Sequence, residues 1–567
     1  MAKGIEKALR KKDILIVEAG TGVGKSLAYL IPSILHSIKE EKKVVISTDT
    51  IALQNQLITK DIPLAEKILN RKIKSHVAFG ASNYLCKRKF SNVVNSGNFP
   101  PEMGAHLKEF YEWERNTISG VKREYKGFAT GEFWNQITRD PENCLGKRCP
   151  NYEKSFYFLE KKKWEEANIL IVNHYLLAAH ISGEFKVLPD FTDLIIDEAH
   201  NFPDVLGKSF SISASRDELI SLTNFIFQSE KKPGLLSRVP KGKLHEEIKQ
   251  SIKEISPYID EYFNRLLSEI GLKFQATRVT QSLKLDGGIL ENSLEGINQL
   301  IKKFKNTLNP ESEDILTKEL ILDLDFIVKK ITEKVKLLEL FRIQSDKEKV
   351  YWIEPSRTEK STFYSVHIQH LNPEIYLQND LFPKMETVVF TSATLSSSES
   401  GFEYFKNRIG NPECFEIELD SPFPFDKNAI LYTPKKNSLH DPGTESEEYV
   451  KDLTILIPKL LDLTEGNAFI LFTSNKMMKE VYENLKDESP YPLFAQDIHG
   501  SDKILSLFLE TPNSVLFGVS TFWQGVDIKG DKLKSVIITK LPFQPPGDPC
   551  LEAKIEVLKK NGQNPFM

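Results

Sequence analysis

Residues 14–35 read ILIVEAGTGVGKSLAYLIPSIL. The first part, ILIVE at 14–18, is a short uninterrupted apolar run, the pattern of a strand buried on both faces in a parallel sheet. Next comes the glycine-rich loop Ala19-Gly20-Thr21-Gly22-Val23-Gly24-Lys25-Ser26, and then LAYLIPSIL, apolar at helical spacing. Strand, glycine loop, Lys-Ser and helix in that order define a phosphate-binding loop. Glycines let the backbone turn tightly and aim its N–H groups at phosphate oxygens, and the helix N-terminus adds a favourable dipole. Lys25 is expected to reach the β- and γ-phosphates of a bound nucleotide, with the Ser26 hydroxyl on Mg²⁺. A chance glycine turn is the bland alternative, and the strand and helix on either side argue against it.

A second strand, LIID at 194–197, delivers Asp197-Glu198-Ala199-His200 to its C-terminal end. Two carboxylates there complement a phosphate-binding loop: Asp197 would hold Mg²⁺, and Glu198 would orient and deprotonate the attacking water. Acidic loops after strands are common, so this tetrapeptide gains its meaning from the loop at 19–26.

The rest of the composition sets the class. The chain has 567 residues, enough for several domains, with 40% hydrophobic and 27% charged residues, as in globular proteins. No apolar run approaches the ~20 residues of a membrane helix, and the basic N-terminus MAKGIEKALRKKD is not followed by a signal-peptide core. A cytoplasmic protein without membrane contact is the expectation. Net charge is −4, so a nucleic-acid footprint must be local. Residues 80–163 hold 15 Lys/Arg against 10 Asp/Glu, and 14 Phe, Trp or Tyr. Basic side chains among aromatics suit a single strand whose bases stack, and they equally suit a small domain with an aromatic core and a solvated face. The cysteines are Cys86, Cys144, Cys149, Cys414 and Cys550, an odd and sparse set that argues against a disulfide framework.

Further motifs narrow the reading. The DEAH box, the Thr391-Ser392-Ala393-Thr394 loop after TVVF, and Gln524-Gly525-Val526-Asp527 resemble motifs II, III and V of superfamily 2 helicases. ISTDTIALQNQL at 46–57, ANILIVNHYLL at 167–177, AFILFTSNKMM at 468–478 and STFWQGVDIKGDKLKSVIITKLPFQPPGDP at 520–549 look like the DinG/XPD branch of that superfamily, in its order. Ala19, where the general loop pattern has Gly, is a variation that helicase loops resemble too.

The resemblance implies an α/β fold: two RecA-like parallel-sheet motor domains, with a small cysteine-containing insertion and a helical arch insertion. Residues 1–79 would carry the phosphate loop, 80–163 the iron–sulfur-type segment and 164–204 the DEAH part. The arch would span 205–365, where Leu244, Ile248, Ile252, Ile255 and Ile259, and then Leu316, Leu320, Leu324, Ile327, Ile331, Val335 and Leu338, recur at helical spacing. Residues 366–427 would complete the first motor domain, and 428–567 would form an incomplete second one, opening with a strand at about 429.

The implied activity is ATP-dependent movement on single-stranded or forked DNA, 5′ to 3′, by a monomer, in DNA repair or replication. His200 would couple the phosphate site to the interdomain cleft, Ser392 and Thr394 would link hydrolysis to strand movement, and Gln524, Gly525 and Asp527 would face nucleotide and DNA. In this branch four cysteines hold a [4Fe-4S] cluster. Here Cys86, Cys144 and Cys149 match, and Ser155 stands in the fourth position. A labile cluster with Ser155 or water on one iron, a domain kept without its cluster, and a change introduced into this sequence are the three readings. The nearby Lys87, Arg88, Lys147 and Arg148 would favour thiolates, whereas Cys414 and Cys550 lie far off in sequence. The arginine-bearing motif VI and the adenine-reading glutamine element are both absent from this sequence. A nucleotide-dependent DNA-binding module without unwinding activity is therefore the rival expectation. A nuclease fusion is weaker, for want of an acidic cluster before residue 14.

Overall fold

The computed structural model describes residues 1–567 apart from 21, 98, 142–143, 231–233, 272–274, 286, 310–313, 358–361, 398, 500, 520–521, 524–527, 529, 544–546 and 563–567. The chain divides into two units, Met1–Pro422 with Pro546–Met567, and Phe423–Pro545.

In the first unit β1 (Ile14–Ala19), β2 (Val44–Thr48), β3 (Ser75–Val77), β4 (Ile169–Asn173) and β5 (Asp193–Asp197) belong to one sheet. The strands β6 (Ile212–Ser215), β7 (Thr277–Val279), β8 (Lys349–Arg357) and β9 (Thr362–His370) form a second sheet, after which β10 (Thr387–Ser392) and β11 (Phe415–Leu419) return to the first. The order of the first sheet is β11-β1-β10-β5-β2-β4-β3, and every pairing is parallel. Its inner strands β1, β10, β5, β2 and β4 are largely buried on both faces, whereas the edge strands β3 and β11 are partly exposed. Ile16, Val45, Leu170, Leu194, Ile196 and Phe390 point into the core on one face. Leu15, Val17, Val44, Ile46, Ile171 and Val389 point into the other, against the helix Lys25–Glu40 and the N-terminal helix Ala2–Lys11. The parallel order with β10 between β1 and β5 brings the ends carrying residues 19–26, 391–394 and 197–200 to one rim of the sheet.

The cysteine segment is a small helical body around Phe90, Phe110, Phe133 and Trp134, all buried, with ring centroids 5.2 Å apart for Phe90–Phe110 and for Phe110–Phe133. These aromatics make a core, so they are not the stacking platforms that composition left open. Phe128, 48% exposed, lies outside that core.

The span expected to be a helical arch has helices Lys243–Ile270, Ile289–Lys305 and Ile315–Ile343, and it also contains the antiparallel sheet β6-β9-β8-β7. Ile248, Ile252, Ile255, Ile259, Leu320, Leu324, Ile327, Ile331 and Leu338 are buried as their spacing requires, whereas Leu316, in the first turn of its helix, is 68% exposed. The expected boundary at 365 falls inside β9. The strands escape a helical reading because both faces of β8 are apolar. Tyr351 and Ile353 face the insertion's helices, and Val350 and Trp352 face the C-terminal helix Pro549–Lys560 at Ala553. Arg278 Nη1 reaches Glu556 Oε2 at 2.8 Å across the same contact. That helix packs with the first unit.

The second unit holds a four-stranded parallel sheet, ordered β13-β14-β12-β15, of β12 (Ala468–Leu471), β13 (Leu493–Ala495), β14 (Val515–Gly518) and β15 (Ser535–Ile538). The expected opening strand at about 429 is not formed: residues 429–435 pair with no strand, and Ile430 is 97% exposed.

Candidate nucleotide site and cysteine cavity

Gly24 sits at the N-cap of the helix Lys25–Glu40 with φ 72°, and Gly22 has φ 85°. Both conformations are open to glycine at little cost. Gly20 meets a different demand. Its N–H donates to the Leu419 carbonyl at 3.2 Å, and a Cβ on it would lie 2.9 Å from the Ser421 backbone nitrogen. Ala19 is buried at the end of β1, and Val23 packs at the edge of the core on the helix side. Thr21 lies outside the described residues.

Lys25 Nζ and Glu198 Oε1 are 3.2 Å apart, both partly buried. Glu198 holds φ 51°, a left-handed conformation that a non-glycine residue adopts at a cost and that clusters at functional sites. Asp197 lies buried behind it, its Oδ1 accepting from the Glu198 N–H at 3.0 Å and its Oδ2 from the Tyr29 hydroxyl at 2.9 Å. Burial, then the neighbouring Glu198 charge, hold the Asp197 carboxyl above its ordinary range, against the opposing pull of Lys25. The Ser26 hydroxyl lies within hydrogen-bonding reach of Tyr29. Ser26 and Asp197 therefore converge on one phenol, the corner where a divalent cation on the phosphates would be held. Tyr29 went unread in the sequence because its place in LAYL looked like one more apolar helix position.

Ser392, at the end of β10, bridges the two motifs. Its hydroxyl donates to Glu198 Oε2 at 3.3 Å and lies 2.7 Å from His200 Nδ1, which is itself 3.6 Å from Glu198 Oε2. With Ser392 donating to the carboxylate, Nδ1 is the imidazole nitrogen that carries hydrogen. Thr394 is exposed at the rim, its N–H donating to Ser392 Oγ at 3.4 Å. Lys25, Ser26, Asp197, Glu198, His200 and Ser392 thus form one constellation. Gln524, Gly525, Val526 and Asp527 lie outside the described residues.

In the cysteine segment, Cys86, Cys144, Cys149 and Ser155 line one cavity together with Arg88, Arg139 and Phe158. Cys86 is the N-cap of the helix Lys87–Ser96 and Ser155 that of Phe156–Glu166, so two helix N-termini meet there. Serine is a favoured N-cap, yet Ser155 makes no capping bond, which leaves its hydroxyl for the cavity it lines. The Gly146 N–H donates to Cys144 Sγ at 3.5 Å, and burial holds the Cys149 thiol above its ordinary range, with a hydrogen bond from the Asn151 backbone pulling the other way. N–H groups aimed at sulfur are what cluster thiolates use. Among the described residues no three His, Cys, Asp or Glu are close enough to hold a single ion. The cavity lining offers three thiols and one hydroxyl. Cys414 and Cys550 lie elsewhere, and Cys550 has its thiol pushed up to about 11, chiefly by burial.

A phosphate loop and an acidic pair on separate strands of a parallel sheet, bridged by a serine from the strand between them, define the motor half of a nucleoside-triphosphate-driven helicase. The DEAD/DEAH box helicase family matches residues 2–98, DEAD_2 residues 138–219, and the helicase C-terminal domain residues 457–567. Aligned over its whole length, the chain is 29% identical to the ATP-dependent DNA helicase YoaA of Escherichia coli, covering 85% of that protein. It is 26% identical to the ATP-dependent helicase DinG of Mycobacterium tuberculosis, covering 84%. Against the 3′-5′ exonuclease DinG of Bacillus subtilis it is 27% identical and spans 64% of that protein's length. Xpd4 of S. tokodaii shares the fold, with a TM-score of 0.52 at 13% identity over the whole chain and 87% of that structure. The chain belongs to the DinG/YoaA/XPD-like family of superfamily 2 helicases.

Proposed function

We propose that this protein is an ATP-dependent DNA helicase motor that couples hydrolysis to movement along single-stranded DNA, 5′ to 3′, in DNA repair or replication in the cytoplasm. The observation that carries the reading is the Lys25–Glu198 pair, with Asp197 buried behind it and Ser392 and His200 closing the far side. Lys25 binds the β- and γ-phosphates, and the glycine loop's N–H groups cradle them. When bound, Mg²⁺ on Ser26 and Asp197 supplies charge neutralisation at the phosphates. Glu198, released from Lys25 as the phosphates take the ammonium, orients the attacking water and accepts its proton. Ser392 donates to the second carboxylate oxygen and His200 in turn donates to Ser392, and so the base is kept aimed. Gln524, Gly525 and Asp527 take the roles that their likeness to motif V implies, toward nucleotide and DNA.

The proposed cofactor of the cysteine segment is a [4Fe-4S] cluster held by Cys86, Cys144 and Cys149, with Ser155 at the fourth corner. Such a cluster supplies a rigid covalent cross-link. The chain's own part is to provide the thiolates, the N–H···S bonds and the two helix N-termini that favour negative charge. Of the described residues, no helix is long and apolar enough to cross a membrane. The test is ATP hydrolysis with and without single-stranded DNA. Stimulation is the expected result, and hydrolysis indifferent to DNA would overturn the reading.

A further inference from the structure

The phosphate-loop strand ends in a carboxylate that the mechanism above does not use. Glu18, the last residue before Ala19, pairs in the parallel register with Ser392 of β10 on one side and with Glu418 of β11 on the other. Its Oε2 accepts from the N–H groups of both Leu395 and Ser396, each at 2.5 Å. These donors follow Ser392-Ala393-Thr394, where β10 has ended and the backbone has left the ladder. Leu395 is buried, so its N–H has no water to turn to if the carboxylate is removed. Ser396 Oγ donates to Glu418 Oε1 at 3.3 Å, fastening the same turn to the next strand. The loop is therefore anchored twice: at Ser392 to the Glu198–His200 pair, and at 395–396 to the strand residue just before the phosphate loop. Thr394 stands exposed between the anchors.

We propose that Glu18 is a positioning residue: it ties the 392–396 loop to the phosphate loop, so that nucleotide binding is passed to Thr394 at the rim of the sheet. Two N–H donors on one carboxylate oxygen are charge-assisted bonds, stronger than neutral ones, and their acceptor is covalently adjacent to the loop that closes on phosphate. The inference rests on the nucleotide reading of residues 19–26, and it adds a residue that neither touches phosphate nor reacts.

The experiment is amide hydrogen exchange over residues 393–397, with and without Mg-ADP or Mg-AMPPNP, in the parent chain and in Glu18→Ala, Glu18→Gln and Glu18→Asp. Without nucleotide, E18A should exchange about tenfold faster at Leu395 and Ser396, as expected for two lost bonds to a charged acceptor. In the parent, nucleotide should slow exchange there, and in E18A that response should vanish while nucleotide affinity stays within about threefold. E18Q keeps an oxygen acceptor and should retain part of the response. E18D keeps the charge but shortens the reach and should lose most of it, which serves if E18A fails to fold. Parental exchange and parental response in E18A, or in E18D where E18A does not fold, overturn the proposal. A parent that binds no Mg-nucleotide overturns the functional reading instead, and the nucleotide-free comparison still decides whether Glu18 holds the loop.

Discussion

Lys25 and Glu198 touch each other in this structure, yet they answer to different stages of the reaction. A lysine on phosphate oxygens contributes in the ground state, whereas a base acting on water contributes only as the bond forms. Lys25→Ala should therefore abolish hydrolysis and weaken nucleotide binding by about tenfold or more. Glu198→Gln should lower turnover by about 10²-fold or more while binding stays near parental. Titration calorimetry beside a hydrolysis assay separates the two, and equal binding by both variants would rule out the phosphate-loop assignment. These residues could be read from the sequence because each follows a short apolar strand at fixed spacing. Tyr29 and Glu18 could not, since their partners, Asp197 and the 395–396 N–H groups, are 168 and more than 370 residues away. At Ser155 the sequence shows the departure and the structure shows an uncapped hydroxyl on a cavity with three thiols. An alkoxide is a poorer iron ligand than a thiolate, so the protein reconstituted anaerobically should hold substoichiometric iron and bleach in air. Ser155→Cys should raise iron content and slow the bleaching. A colourless S155C protein would mean the segment holds no cluster.

At the scale of elements, the turn after β1 and the chain leaving β11 are packed backbone to backbone at Gly20. A methyl there would meet the Ser421 nitrogen at 2.9 Å and its Cα at 3.1 Å, and neither can swing away as a side-chain tip could. Gly20→Ala should cost about 1–3 kcal/mol of stability and should weaken nucleotide binding, because the displaced turn is the phosphate loop itself. Thermal unfolding with and without Mg-nucleotide reads both effects, and an unchanged ligand-induced shift in Tm would show that the turn relaxes without moving the loop. The elements also show where period-based reading stops. In the first sheet β1, β5 and β10 were legible because each is an apolar run buried on both faces with a motif at its end, whereas the short β3 and the partly exposed β11 were not. The strands β8 and β9 were hidden by the same two-faced burial, embedded among long helices with nothing in KVYWIEPSR to mark which partner covers the outer face. That partner, the helix Pro549–Lys560, comes from the far end of the sequence, and so its domain could not be assigned from spacing either.

For the whole molecule, a net charge of −4 leaves no general attraction to a polyanion. Binding to DNA must come from limited basic surfaces, and the insertion and cysteine segment spend many of their cations on internal pairs. Lys87 pairs with Glu114, Arg238 with Asp323, Arg342 with Glu291 and Lys334 with Glu218. Arg139 lies over the Tyr157 ring at 3.9 Å, and Arg123 over Phe79 at 4.2 Å. The lysines and arginines left over set how many phosphates can be neutralised, and each phosphate on a single strand adds about −0.7 to the slope of log affinity against log salt. A track that contacts four to six nucleotides should therefore give a slope of about −3 to −4. Single strands should bind more tightly than blunt duplex, because aromatic and cationic side chains can stack only on bases that are already unpaired. Fluorescence anisotropy with a labelled oligonucleotide and its duplex, titrated from low to moderate salt, measures both quantities. A slope near zero would indicate that charge plays no part in holding the strand. Equal affinity for the two nucleic acids at every salt concentration would remove single-stranded DNA as the track along which hydrolysis is proposed to move this motor.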